Sequence, residues 1–273
     1  MKLKNLLITA FTLMLLFSSS HVALAATYNN TDDVIVAPLE TEYLDNTDKI
    51  NQQLSLMGFT ENEIEATPEA LRKEIASEGG KKIKIEDFNS QPVTTDAYGN
   101  QILTNSLGIT TQDFSTGKFS MRGYAISKGA VNASEKAYDV YATYNWSSAP
   151  INTYTDTLAM AWQSNMTPYG APYSVNNWRS GAQLFQYNNK IQKQQVQGNS
   201  IEVDVIASGN DPQDGYAKQQ IRVSKSTTGT AAVELGYAHK LVPGIALAVL
   251  NFVNIDFSGA SQQEWSDRFN FSY

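Results

Sequence analysis

Gly79-Gly80-Lys81-Lys82-Ile83-Lys84-Ile85-Glu86-Asp87-Phe88 is where this chain changes period. Before the glycine pair, apolar residues recur three and four positions apart, the spacing of one helix face. After it Ile83, Ile85 and Phe88 nearly alternate with polar residues, the spacing of one strand face. Upstream, Thr47 is placed to cap a helix with Ile50, Leu54 and Met57 on one side, and Gly58 stands where a left-handed C-terminal residue is wanted. Thr60-Glu61-Asn62-Glu63 matches a capping box, and Thr67-Pro68 places a cap before a proline at the first helical position. The helix that follows carries Leu71 and Ile75 and stops at Gly79-Gly80. Residues 26–45 hold scattered acids and one short apolar run, Val34-Ile35-Val36, closed by Pro38, and read as a flexible or loosely docked N-terminus.

Downstream of the pair, a Tyr98-Gly99-Asn100 turn is expected to join Val93-Thr94-Thr95 to Gln101-Ile102-Leu103-Thr104 as a hairpin. Alternation and β-branched or aromatic residues then predict strands at 119–127, 137–146, 157–164, 182–188, 201–207, 216–224, 230–239, 245–256 and 268–273. Turn residues punctuate them, among them Lys128-Gly129, Gly198-Asn199, Asn210-Asp211-Pro212 and Pro243-Gly244. Many short strands with such punctuation make a mainly β fold. An antiparallel β-sandwich over 81–273, preceded by a small helical segment within 26–80, is expected, with a barrel as the alternative. Residues 162–178 lack clear periodicity and hold Pro168, Gly170 and Pro172, so a long loop is predicted there.

The first 25 residues read as a secretory signal: Lys2 and Lys4, an apolar core at 6–17, and a small-x-small cleavage motif at Ala23-Leu24-Ala25. The apolar run is shorter than the roughly 20 residues of a permanent span. A secreted, extracellular protein with no permanent membrane anchor is expected. Removing the signal leaves 18 basic residues against 27 acidic, a net charge near −9 that disfavours nucleic acid and anionic lipid. The chain has no cysteine, so its stability must come from a hydrophobic core. His239 would be the one histidine after cleavage, which excludes multi-histidine zinc sites and cysteine nucleophiles within the exported monomer.

Two segments carry a resemblance: Leu54-Ser55-Leu56-Met57-Gly58-Phe59 with Ile64 and Pro68, and Tyr144-Asn145-Trp146 with Pro150 and Thr155-Asp156-Thr157-Leu158-Ala159-Met160-Ala161-Trp162. Together they resemble uncharacterised exported proteins of Gram-positive bacteria, in which a short helical segment precedes a β-rich region. The resemblance implies origin and compartment, and it carries over no mechanism and no site residues.

Candidate sites come from residue chemistry. The aromatic stretch with Trp162, Tyr169, Tyr173, Trp178 and Arg179 is the leading ligand-binding candidate, because exposed rings stack on sugars or anchor proteins. Asn210, Asp211 and Asp214 offer oxygen ligands for Ca2+, although the same residues are also turn formers. Glu202 and Asp204 share one strand face and read as solvated carboxylates rather than a glycosidase pair. Asp156 reads as bonding nearby backbone amides, and His239 as a partly exposed residue at a strand end. The expected function is a non-catalytic binding module for an envelope polymer or an extracellular protein, without a required cofactor. A carboxylate-dependent glycan hydrolase and a membrane-active β-protein are the alternatives.

Overall fold

The computed structural model describes residues 34–85, 93–95, 119–150, 152–181, 183–206, 211–241 and 262–273. The helical signals upstream of Gly79 become a 3-10 turn at Thr41–Tyr43 and three helices, α1 (Thr47–Leu56), α2 (Glu61–Ala66) and α3 (Glu69–Glu78). At α2 the Thr60 side chain accepts from the Glu63 amide while Glu63 returns a bond to the Thr60 amide, so two otherwise orphaned donors are satisfied. The other two starts differ from expectation. Asn46, one residue before Thr47, caps α1 by accepting from the Lys49 amide. Thr67 bonds backward to the Glu63 carbonyl and to the Tyr124 hydroxyl instead of capping α3.

Beyond Gly80 the chain runs as strands β1 (Lys81–Lys82), β2 (Val93–Thr95), β3 (Phe119–Ala130), β4 (Glu135–Trp146), β5 (Thr155–Trp162), β6 (Thr167–Ser180), β7 (Gln183–Asn188), β8 (Lys190–Gln195), β9 (Gly198–Asp204), β10 (Gln213–Ser224), β11 (Thr230–Lys240) and β12 (Gln262–Ser272). They form two antiparallel sheets, in the orders β1-β3-β4-β10-β6-β7 and β2-β12-β11-β5-β9-β8. The fold is therefore a β-sandwich, and among the described residues the sheets do not close into a barrel. Strand β2 pairs with β12; the expected hairpin partner at 101–104 and the expected strand at 245–256 lie outside the described residues.

Inward side chains of both sheets make the main core: Tyr138, Val140, Ala142 and Trp146 of β4 meet Leu158 and Met160 of β5, Val233 and Leu235 of β11, and Phe269 and Phe271 of β12. Space is tight enough that a Cβ on Gly123 would stand 2.5 Å from the Phe269 ring. The opposite face of the first sheet is also apolar over β3 and β4. There Tyr124, Ile126 and Tyr141 join Leu54, Met57, Ile64, Leu71 and Ile75 of the helices in a second core, and three layers result. The run 34–38 is anchored where it passes α3: Val36 and Gly80 exchange backbone bonds and the Leu39 amide donates to the Ala76 carbonyl.

Residues 162–178 are not a long loop, which corrects the sequence expectation. After a short turn they form most of β6, and its irregularity is a bulge: Tyr173 faces Lys218 and Tyr169 faces Gln220, so four residues on β6 span two on β10. Gly170 within it has φ +73°, a conformation L side chains seldom adopt. Pro172 sits in the bulge, where no ladder N–H is required.

Candidate functional site

Strand β10 alternates in the way a doubly covered strand must: Ala217, Ile221 and Val223 enter the inter-sheet core, while Lys218, Gln220 and Arg222 face the helical side. On α3, Glu74 and Glu78 are one turn apart and flank the buried stripe of Leu71 and Ile75. The two patterns meet over β6, where an open cleft of about 430 Å3 is lined by Glu74, Glu78, Tyr169, Ala171, Tyr173, Lys218 and Gln220.

The floor of this cleft is ionic. The Lys218 ammonium lies 2.5 Å from Glu78, 3.7 Å from Glu74 and 3.5 Å from Asp139, and Asp139 is only 1% exposed. Lys128 approaches Asp139 at 3.5 Å and donates to the Glu78 and Gly79 carbonyls at the end of α3, which offsets the unfavourable position of Glu78 in the last helical turn. Gln220 donates to Asp139 at 3.1 Å, Tyr141 to Glu78 at 3.2 Å, and Tyr216 to Glu74. Burial raises the pKa of Glu74 despite the Tyr216 bond and the nearby lysine. For Lys218, burial acts downward, but Asp139, Glu78 and Glu74 outweigh it and hold the ammonium above the usual lysine range.

The walls are aromatic. Tyr169 is 55% exposed and Tyr173 41%, and the bulge brings them opposite β10 positions only two residues apart, roughly 7 Å along the strand instead of about 13 Å. One face of Tyr169 is covered by the Arg222 guanidinium, 3.3 Å from the ring centre, and Arg222 is itself tied to Glu135 at 3.2 Å. The ring is thus held in place, with its remaining surface open.

Of the five residues expected to bind ligand, Tyr169 and Tyr173 share this cleft and the others do not. Trp162 is 1% exposed in the core. Trp178 stacks on Phe185 of the neighbouring strand, centroids 4.3 Å apart, and Arg179 approaches Glu69 at 3.5 Å. Of the calcium candidates, Asn210 lies outside the described residues; Asp211 accepts the Gly181 amide and Asp214 accepts from Asn177. No cluster of acids or histidine suited to a metal occurs among the described residues. Glu202 pairs with Lys190 at 3.0 Å and Asp204 is exposed, as expected for a solvated sheet face.

Asp156 and His239 depart from expectation. Both are fully buried, with His239 Nδ1 2.8 Å from Asp156 Oδ2, which also takes the Tyr237 hydroxyl at 2.8 Å, while Oδ1 takes the Lys240 amide at 3.0 Å. Trp146 donates to the same tyrosine and packs against the imidazole. The pair spans β5 and β11 and presents no surface to a substrate. Its carboxylate therefore stitches adjacent strands together. The cleft's Glu74, Glu78, Lys218 and Gln220 escaped sequence reasoning; the available signal was the one-turn spacing of the two glutamates beside an apolar stripe.

No family model matches this chain, and no curated protein matches it. Among solved structures it is similar to the collagen-binding domain from a Staphylococcus aureus adhesin, at 7% identity and a TM-score of 0.30, covering 58% of this chain and 97% of that one. It is also similar to the collagen-binding subdomain of the Enterococcus faecalis surface protein ACE, at 8% identity and a TM-score of 0.28, covering 56% of this chain and 97% of that one.

Proposed function

We propose that this chain is an exported, non-catalytic binding module that engages an envelope polymer or an extracellular protein through the cleft between α3 and β6–β10. The observation that carries the reading is the pair of exposed tyrosines set side by side by the β6 bulge over a floor of charges that already satisfy one another. Such a surface recognises without reacting: the carboxylates are engaged by Lys218 and Tyr216, while rigid rings supply contact area at little conformational cost. The test is retention of purified protein on cell-wall polysaccharide, peptidoglycan and extracellular proteins, with Tyr169→Ala and Tyr173→Ala beside Trp178→Ala. Loss with the first two and retention with the third supports the cleft; equal retention by all three refutes it.

One observation favours a glycan hydrolase as the second reading. Glu74 is a carboxylate of raised pKa in a cleft holding a second carboxylate, the pattern of a general acid. Against it, Glu78 is held by Lys218 and Tyr141, and both acids project from one helix instead of flanking a bound substrate. Glycan cleavage abolished by Glu74→Gln would establish the second reading over the first.

A further inference from the structure

We infer that the ligand of this cleft is a neutral polysaccharide, an inference that rests on the cleft being the binding site. The charges of the cleft are internally balanced. Two carboxylates and a lysine line the cleft, with Asp139 and Lys128 immediately behind, and each charge is already matched by a partner. An anionic polymer would meet two glutamates on a protein of net negative charge, and a cationic peptide would have to compete with Lys218 for both of them.

The apolar surface on offer is aromatic, with one alanine beside it. Tyr169 and Tyr173 are the large exposed hydrophobic side chains of the cleft, and no leucine, isoleucine, valine or methionine lines it among the described residues. The core of a protein–protein interface is depleted of charged residues, whereas Glu74, Glu78 and Lys218 stand at the centre of this surface. A pyranose has a C–H face that lies flat on an aromatic ring and a rim of hydroxyls that donate to carboxylates and accept from amides and ammonium groups. Rings along the wall with Glu74, Glu78, Lys218 and Gln220 beside them match both features.

Two tyrosines set opposite β10 positions about 7 Å apart call for successive sugar units in one extended chain, and the cleft is open where a single small ligand would need to be enclosed. Arg222 fixes Tyr169 by covering one face, so the platform exists before binding.

The experiment is affinity electrophoresis of the purified protein through gels containing a soluble neutral glucan, a soluble galactomannan, polygalacturonate or gelatin, at low and high salt. Retardation by at least one of the two neutral polymers is expected, little altered by salt, weakened about tenfold by Tyr169→Ala and by Tyr173→Ala, and unchanged by Val196→Ala, an exposed residue of the second sheet's β8–β9 turn. Tyr169→Phe, which keeps the ring, restores most of the retardation. Both tyrosines are surface residues, and unchanged melting temperatures confirm that the variants fold. Retardation by polygalacturonate or gelatin alone, lost in the same tyrosine variants, overturns the neutral-polysaccharide inference and leaves the cleft as a binding site. Retardation indifferent to both tyrosine variants overturns the cleft as well, and no retardation by either neutral polymer overturns the inference.

Discussion

Removing the Lys218 ammonium tests the ionic floor. Its loss strips the nearest cation from Glu78 at 2.5 Å and leaves Asp139, 1% exposed, with Lys128 at 3.5 Å and the Gln220 amide as its remaining partners. Breaking a buried ion pair by deleting one partner costs about 3–5 kcal/mol. Because Lys128 still reaches Asp139, the lower end applies, and Lys218→Met should cost about 3 kcal/mol, or roughly 6–12 °C in Tm at about 2–4 °C per kcal/mol for a chain of this size. Methionine keeps most of the side-chain volume against Tyr141, so the loss reports charge more than packing. The pH dependence has a definite sign. The carboxylates hold the folded-state pKa of Lys218 above its ordinary value of 10.5, so the stability it contributes is present in full below that value and is lost as pH rises through the folded-state value. Thermal melts followed by tryptophan fluorescence should therefore show a large deficit against the parent at neutral pH that narrows as pH is raised past 10.5. A deficit equal on both sides of that pH, or a neutral-pH loss under about 1 kcal/mol, would refute the assignment of this cluster as a mutually neutralising floor.

Glu74→Gln should be neutral or stabilising in urea melts at neutral pH: burial raises the folded-state pKa of Glu74, so the ionised form works against folding above that pKa and the difference from the parent disappears below the unfolded value. Gly123→Ala places a methyl 2.5 Å from the fully buried Phe269 ring and should cost about 1–3 kcal/mol by overpacking, read as a lower urea midpoint at unchanged slope. Thr60→Ala removes one half of the α2 capping box and should cost about 1 kcal/mol without altering polymer retention.

The strands that were legible are those where burial and alternation coincide, such as β10, or where a strand is covered on both faces and reads as a β-branched and aromatic run, such as β4. Strand β6 was illegible for a physical reason: Pro168, Gly170 and Pro172 are loop signals by composition, and here they build a bulge inside a strand whose pairing to β10 resumes on both sides. Strand β8, an edge of Gln and Lys, sends only Ile191 against the core, too little to impose a period, and no strand is expected there from sequence. The aromatic half of the cleft could be proposed from sequence because tyrosines cluster locally in 169–173. Its charged half could not, since Glu74 and Lys218 are brought together only by docking α3 on β10 across more than half the chain. The burial of Asp156 and His239 was hidden similarly: each reads as a strand-terminal polar residue until β5 and β11 are placed side by side.

The position of the cleft follows from a change of chemistry across one sheet face. Over β3 and β4 that face is oily, and Tyr124, Ile126 and Tyr141 interdigitate with Leu54, Ile64 and Leu71 as densely as a core requires. One strand further, Tyr216 still joins that packing, but its neighbours on the face are Lys218 and Gln220, and Asp139 stands behind them. Helix α3 meets these groups through Glu74 and Glu78, and ion pairs between long side chains hold two layers at a distance where aliphatic contacts would pull them flush. Because the helical layer ends there, the side of Lys218 and Gln220 facing β6 stays uncovered, and the bulge fills that margin with two tyrosine rings in place of a further helix. Replacing Glu74, Glu78, Asp139, Lys128 and Lys218 together by apolar residues of like volume should therefore keep or raise stability while closing the trough over Tyr173, separating what holds the helices from what the cleft is for.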